Sequence, residues 1–189
     1  RGYFIPLFLI LTQCKKDDDD TEYVIREYSD QVNVDHQILE DYLRTHTFNY
    51  EDFVNQINVD VKIDSLTDFN SSRQSLYDLA NVKTINVTDA NGDNVSHNLY
   101  YIIAREGLNE KPSVADSVYI AYDGLLTDGY VFDNRKFPIW LDLANSLEGF
   151  REGVSELKTG NFNENSNGTI SYKSFGVGIF FMPSGIGYF

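Results

Sequence analysis

Tyr122, Phe132 and Asp133 put a phenol, an aromatic ring and a carboxylate into one short stretch of β-forming sequence. A phenol donates and accepts hydrogen bonds, an ionised carboxylate accepts only, and phenylalanine offers an apolar wall. Such a set orients a substrate without supplying a nucleophile. The other motifs that could do chemistry fall away. Asp89-Ala90-Asn91-Gly92-Asp93 starts like a calcium loop, but its sixth position is Asn94 instead of Gly and its twelfth is Tyr100 instead of Glu, so it reads as a turn. Gly176-Val177-Gly178 and Gly185-Ile186-Gly187 lack the third glycine and the following helix of a dinucleotide-binding loop. His36, His46 and His97 have no metal-ligand spacing with a cysteine, and none is placed beside a nucleophilic serine. They read as surface or helix-face residues, and neither a metal nor a cofactor is implied.

The three side chains depend on a hairpin. Val118-Tyr119-Ile120-Ala121-Tyr122-Asp123-Gly124 and Tyr130-Val131-Phe132-Asp133 are rich in β-formers, and Asp128-Gly129 between them is a two-residue turn signal. Alternation puts Val118, Ile120 and Tyr122 on one face, and sends Phe132 to one side of its strand with Asp133 opposite or at its end. Downstream, Leu147, Phe150, Val154 and Leu157 share one face of a helix predicted from about Ser146 to Leu157. Asn145 or Ser146 is its N-cap, and Gly160 lies just past its end.

These segments, in this order, resemble the FKBP-type peptidyl-prolyl isomerases. That family reads Val-x-Val-x-Tyr-x-Gly, an Asp-Gly turn, then Phe-Asp. An aromatic beside a proline comes next, here Phe137-Pro138, and then apolar-x-Gly-aromatic-x-Glu-Gly, here Leu147-Glu148-Gly149-Phe150-Arg151-Glu152-Gly153. The family closes its site with a strand ending in Pro and a Tyr shortly after, matched by Phe180-Phe181-Met182-Pro183 and Tyr188. The resemblance runs over residues 98–189. It departs where Phe150 stands for the commoner Trp, where Phe189 follows Tyr188 in place of Gly, and where the polar stretch Asn161–Gly168 enlarges or rearranges a loop. The family also ends on a further strand that would lie past Phe189, so the resemblance implies a C-terminally truncated chain.

The resemblance implies rotation about X–Pro bonds in proline-containing polypeptides, with no cofactor. Phe150 would form the floor of an aromatic pocket, and Tyr122, Phe132, Phe137 and Leu147 its walls. The Leu147 backbone N–H would bond the peptide, Tyr188 would donate at the rim, and Asp133 would face the substrate carbonyl carbon or order Tyr122. On that pattern Tyr122, Asp133 and Tyr188 are the catalytic set, and Phe132, Phe137, Leu147 and Phe150 bind substrate. Taken singly, each aromatic also reads as core, and only the joint order favours a site. A catalytically silent surface binding module on the same fold is the alternative.

The rest of the sequence bears on location. The 189 residues carry a formal charge of −14, which argues against nucleic acid or anionic lipid as a partner. The one cysteine, Cys14, rules out an internal disulfide. It comes directly after the apolar run Tyr3–Leu11 and two polar residues, a run too short to span a bilayer and interrupted by Pro6. Leu11-Thr12-Gln13-Cys14 resembles the bacterial lipobox, with Gln13 in place of the usual small residue. Lys15-Lys16-Asp17-Asp18-Asp19-Asp20 resembles an acidic export tag of lipoproteins. This reading stands ahead of a chance cysteine and a solvated charge run because the three features come in the required order. It implies a membrane contact through N-terminal lipid and an outer-membrane location open to surface exposure. Since Arg1 is not Met, part of the charged start of the signal is expected to be missing.

The fold class expected is α+β: a twisted antiparallel sheet half-wrapped around one short helix, preceded by an extension with a helix of its own. Residues 1–13 are read as partial signal peptide, 14–33 as lipidated Cys and acidic tether, 34–97 as extension, and 98–189 as the FKBP-like domain without its last strand. Within the extension, Asp35 is the expected cap of a helix over about His36–His46. Val59–Ile63 and Lys83–Thr88 alternate as strands, and 65–81 reads as a loop with a helical turn near Leu76. Asn91-Gly92 then turns into a strand over Asn98–Arg105, and the extension is expected to pack on the sheet.

Overall fold

Helix α1 (Tyr28–Thr45) begins well before the expected start at His36. Val32, Leu39 and Leu43 are buried along one line of it, with His36 in the same row, and Asp30 in the first turn and Arg44 in the last complement the helix dipole. Asp35 is therefore an interior residue and not a cap. Its carboxylate accepts from Gln31 at 2.6 Å and from the Ser184 hydroxyl. The computed structural model describes residues 28–54 and 59–187. Cys14, the tether up to residue 27 and Tyr188 lie outside the described residues, while residues 28–33, read as the end of the tether, are the start of α1.

Strands β1 (His46–Phe48) and β2 (Ile63–Ser65) pair antiparallel. Only Ile63 of the strand expected over Val59–Ile63 is extended in a ladder. The stretch before it is tied instead by Asn49, whose side chain accepts from Lys62 N–H at 2.8 Å and donates to the Asp60 carbonyl at 3.0 Å. The turn near Leu76 is helix α2 (Leu76–Leu79), started by a capping box between Ser75 and Asp78.

Beyond it come β3 (Asn81–Thr88), β4 (Asn94–Arg105), β5 (Ser117–Leu125), β6 (Val131–Asp142), α3 (Glu148–Val154), β7 (Asn161–Glu164), β8 (Ile170–Lys173) and β9 (Val177–Phe181). The arrangement is α+β. In place of one continuous sheet, the described strands pair antiparallel in four groups: β1–β2, β3–β4–β9, β5–β6 and β7–β8. The polar stretch read as an enlarged loop is part of the β7–β8 hairpin. β4 runs through residue 98 and starts earlier than expected, because Asn94 to Tyr101 pair with Thr88 back to Asn81.

Three hairpins share one turn design. Asp89 N–H donates to Asp93, Leu126 to Tyr130 and Asn165 to Thr169, while Gly92, Gly129 and Gly168 donate back to Asp89, Leu126 and Asn165. Each glycine sits at φ between 78° and 89°, and each comes after Asn or Asp. This is a type I turn closed by a left-handed residue, where a Cβ would clash with the backbone. Asp128-Gly129 thus lies inside a longer loop than the two-residue turn expected.

The core forms on both faces of β4. Tyr100 and Ile102 join Leu39, Leu43, Phe48, Phe53, Leu76 and Phe181, which seats α1 and α2 on the sheet. Tyr100 also donates to Glu40 at 2.7 Å; burial and that carboxylate push its phenol up to about 12. Leu99, on the opposite face, meets Ile85 and Ile186. A third cluster of Val118, Leu143 and Val154, with Phe150 and Phe180 against it, joins the β5–β6 hairpin to α3 and β9.

Helix α3 is shorter than the span read from Ser146 to Leu157. Residues Leu143–Asn145 form a separate 3-10 turn capped by Asp142, and Leu147 is the N-cap of α3 without a side-chain bond. After Val154 the chain tightens into i to i−3 bonds, Glu156 to Gly153 and Leu157 to Val154. Among the described residues no helix is long and apolar enough to cross a membrane.

Candidate functional site

β5 alternates as its sequence requires: Val118 is buried and Ile120 and Tyr122 half-buried, while Tyr119, Ala121 and Asp123 face out. The ladder to β6 then slips twice. Ile120 pairs with Ile139 but Tyr122 pairs with Arg135; Gly124 pairs with Asp133 but Leu125 with Val131, which leaves Phe132 as an extra residue. Strict alternation would send Phe132 and Asp133 to opposite faces. The bulge lets both be half-buried. The Phe132 ring covers Gly124, where a Cβ would stand 2.7 Å from its Cζ.

Tyr122 donates its hydroxyl hydrogen to Asp133 Oδ2 at 2.7 Å. That bond, and then burial, hold the Tyr122 phenol above its ordinary range, so it stays a protonated donor. The second carboxylate oxygen of Asp133 lies 3.2 Å from the Arg135 guanidinium, in a pair exposed enough to add little energy. Sequence reasoning missed Arg135, although it lies two residues from Asp133 on one strand and so on the same face. The Tyr122 ring meets the Phe150 ring edge-on at 5.5 Å and 63°. Phe150, one turn into α3, is anchored by Val118, Leu143 and Val154.

Tyr122 thus touches both Asp133 and Phe150, and Phe132, beside Asp133 on β6, lies over Gly124 of β5. Leu147 is 45% exposed at the start of α3, and its carbonyl accepts from Arg151 N–H at 2.9 Å. Phe137 is not gathered with them. It lies in the slipped stretch between Arg135 and Ile139 and is 85% exposed. The segment leading to Tyr188 reaches α3, because the Ile186 carbonyl accepts from Gly149 N–H at 2.8 Å.

Elsewhere, among the described residues no group of three or more His, Cys, Asp or Glu could hold a metal ion. A cavity of about 340 Å³ lies between Tyr28 and Val87–Asn91 and includes none of the residues above. His97, read with the other two as a surface or helix-face residue, is wholly buried on a strand, while His36 and His46 are half-buried. The available signal was alternation along β4, which puts His97 on the face of Val95 and Leu99.

No family model matches the chain, and no solved structure matches it. Curated relatives do. A probable FKBP-type peptidyl-prolyl cis-trans isomerase, FkpA of Neisseria meningitidis serogroup B, is 32% identical over 93 residues, 48% of this chain and 29% of that protein. The FkpA of Escherichia coli strain K12, named as the same type of isomerase, is 35% identical over 68 residues, 34% of this chain and 25% of that one. The chain therefore spans less than a third of the length of these bacterial relatives. FK506-binding protein 1 of Dictyostelium discoideum is 36% identical over 81 residues, 40% of this chain but 72% of its own length. With most of that protein matched at this identity, the chain belongs to the FKBP family, the FK506-binding proteins.

Proposed function

We propose that this chain is a peptidyl-prolyl cis–trans isomerase and folding helper for exported proteins, anchored in the cell envelope by lipid on Cys14. The observation that carries the catalytic part is the 2.7 Å bond from Tyr122 to Asp133, set edge-on against Phe150. We read residues 98–189 as the FKBP-like unit and 34–97 as its extension.

Rotation about an X–Pro bond must break amide resonance, over a barrier of about 18 to 20 kcal/mol. A site accelerates it by binding the twisted amide better than either planar form. A dry aromatic surface disfavours the charge-separated planar amide, and fixed polar groups favour the twisted one. Phe150 and Phe132 supply the apolar surface, with Leu147 at its edge. Asp133, held by Tyr122 and Arg135, presents a positioned carboxylate toward the carbonyl carbon of the substrate. The Leu147 N–H and Tyr188 complete the set as donors to the peptide.

The test is NMR exchange of an apolar-X-Pro peptide. The chain should accelerate cis–trans exchange at micromolar protein, and Asp133→Ala or Tyr122→Phe should reduce the acceleration by about tenfold or more, the worth of one hydrogen bond to a charged group. No acceleration by a protein with a folded spectrum favours the silent binding module.

The anchor rests on the sequence order of apolar run, Cys14 and acidic block. One acyl chain binds membranes only marginally, so stable attachment takes several. Cys14→Ser should abolish fatty-acid labelling and release the protein from membranes; unchanged partition overturns the anchor and leaves the isomerase reading intact.

A further inference from the structure

The buried polar chemistry of this molecule lies away from Tyr122. His97 Nε2 is 3.0 Å from the Tyr28 hydroxyl, and its buried Nδ1 has no hydrogen-bond partner among the described residues. The His36 ring meets it edge-on at 6.2 Å. His36 Nε2 accepts from the Asn98 backbone N–H at 3.0 Å, which requires that nitrogen to be unprotonated. Next to His36, Asp35 takes the Ser184 hydroxyl, and the adjoining Gly185 comes so close that a Cβ would stand 2.6 Å from His97 Cε1. Two histidines thus sit where helix α1, strand β4 and the turn Pro183–Gly187 converge.

We propose that His36 and His97 form an acid-sensitive latch: neutral, they hold the first half of α1 on β4 and the Pro183–Gly187 turn, and protonated, they let that half loosen. Protonating His36 at Nε2 would set a donor against the Asn98 N–H. Protonating His97 would put charge into a buried site whose ring neighbours are the Tyr28 phenol and the other imidazole. Leu39 and Leu43, buried in the main core, keep the second half of α1 docked.

The charges facing the pair do not cancel this. Asp35 on α1 and Glu148 on α3 favour the His97 imidazolium, as Glu40 and Asp35 favour that of His36, and Asp89 on the β3–β4 turn acts on Tyr28. Burial outweighs them at both rings, and His36 adds to it at His97, so both stay below the ordinary histidine value. The loosened state binds more protons, so by linkage docking is strongest above about pH 6.5 and weakens as pH falls below it. Because Ile186 of the same turn accepts from Gly149 N–H, the loosening reaches the start of α3. The latch does not depend on whether Tyr122 and Asp133 act on X–Pro bonds.

Hydrogen exchange of the full chain, read by NMR between pH 7.5 and 5.5 and corrected for intrinsic rates, tests it. Protection of the amides of residues 32–38 should fall by up to about tenfold per pH unit for each proton taken up below about 6.5, while residues 40–45 hold. A His36→Gln, His97→Phe double variant should show a flat profile over 32–38. Constant protection in the unaltered chain, or the same fall in the variant, overturns the proposal. If the variant does not fold, titration of the two imidazole signals in the unaltered chain decides, and values at or above the ordinary histidine range for both overturn it.

Discussion

The two sides of this molecule are built to different thickness. Against the first face of β4, α1, α2 and the segment between them bury Leu39, Leu43, Phe48, Phe53 and Leu76. The β5–β6 hairpin, which carries Tyr122 and Asp133, contributes only Val118 to the fully buried set, and no residue of β6 is fully buried. On the function proposed above, the hairpin receives an apolar segment, and a surface that does so cannot also be filled with its own side chains. The larger cluster on the α1 side leaves the half-exposed aromatic layer with the smaller share of the buried apolar side chains.

Deleting core volume on each side tests this contrast most severely. Leu43→Ala should cost about 3 to 4 kcal/mol in urea unfolding, and Leu143→Ala about 2 to 3, because the thinner layer can collapse into the space. An equal or larger loss from Leu143→Ala would break the comparison. Gly185→Ala sharpens it at the seam between the sides. Gly185 has φ of 90° and its Cβ would press on His97, so about 1 to 3 kcal/mol should be lost, with chemical-shift changes in α1 as well as in the turn.

The smallest effect belongs to the ion pairs that Lys83 of β3 and Lys111 make with α3 and the turn after it. Lys83 lies 2.7 Å from Glu156 and 3.0 Å from Glu152, and Lys111 lies 2.8 Å from Glu156. Lys83→Met should cost about 1 kcal/mol or less, and less still at high salt. The bond from Lys111 and then that from Lys83 hold the Glu156 carboxyl below its ordinary value. Its contribution is therefore complete above the ordinary glutamate range and lost as pH falls through the lower, folded value. Thermal unfolding from pH 6 to pH 3 should show a shallower fall for Lys83→Met than for the unaltered chain.

Local chemistry was legible in the sequence wherever one residue dictates the backbone. Asn91-Gly92 and Asp128-Gly129 each announce a turn, while Asn167-Gly168 carries the same signal but sits in so polar a stretch that its hairpin passes for a loop. The first half of α1 was hidden because Val32 and Val34 are β-branched and His36 occupies the apolar row, so the periodicity begins only at Ile38. At the site, alternation gave the face of Tyr122, but the two register slips arise from how β5 and β6 pair across their hairpin, which alternation along a single strand does not show. That is why Asp133 is found beside Tyr122 and Phe137 is found outside. The buried state of His97 is a tertiary fact: it needs Tyr28, His36 and Gly185 together, and no window of sequence contains all of them.

Strand β4 has a neighbour on each edge and a packed layer on each face. Its partner β3 belongs to the part of the chain that precedes the residues resembling the family. Removing everything before residue 98 would strip the backbone N–H and C=O groups of an apolar strand and leave a template for pairing with other chains. In this chain the leading segment is therefore a structural partner of β4 and not a detachable accessory. Its strand covers an edge of β4 that would otherwise lie open, so a cut that keeps this pairing has to fall before Asn81.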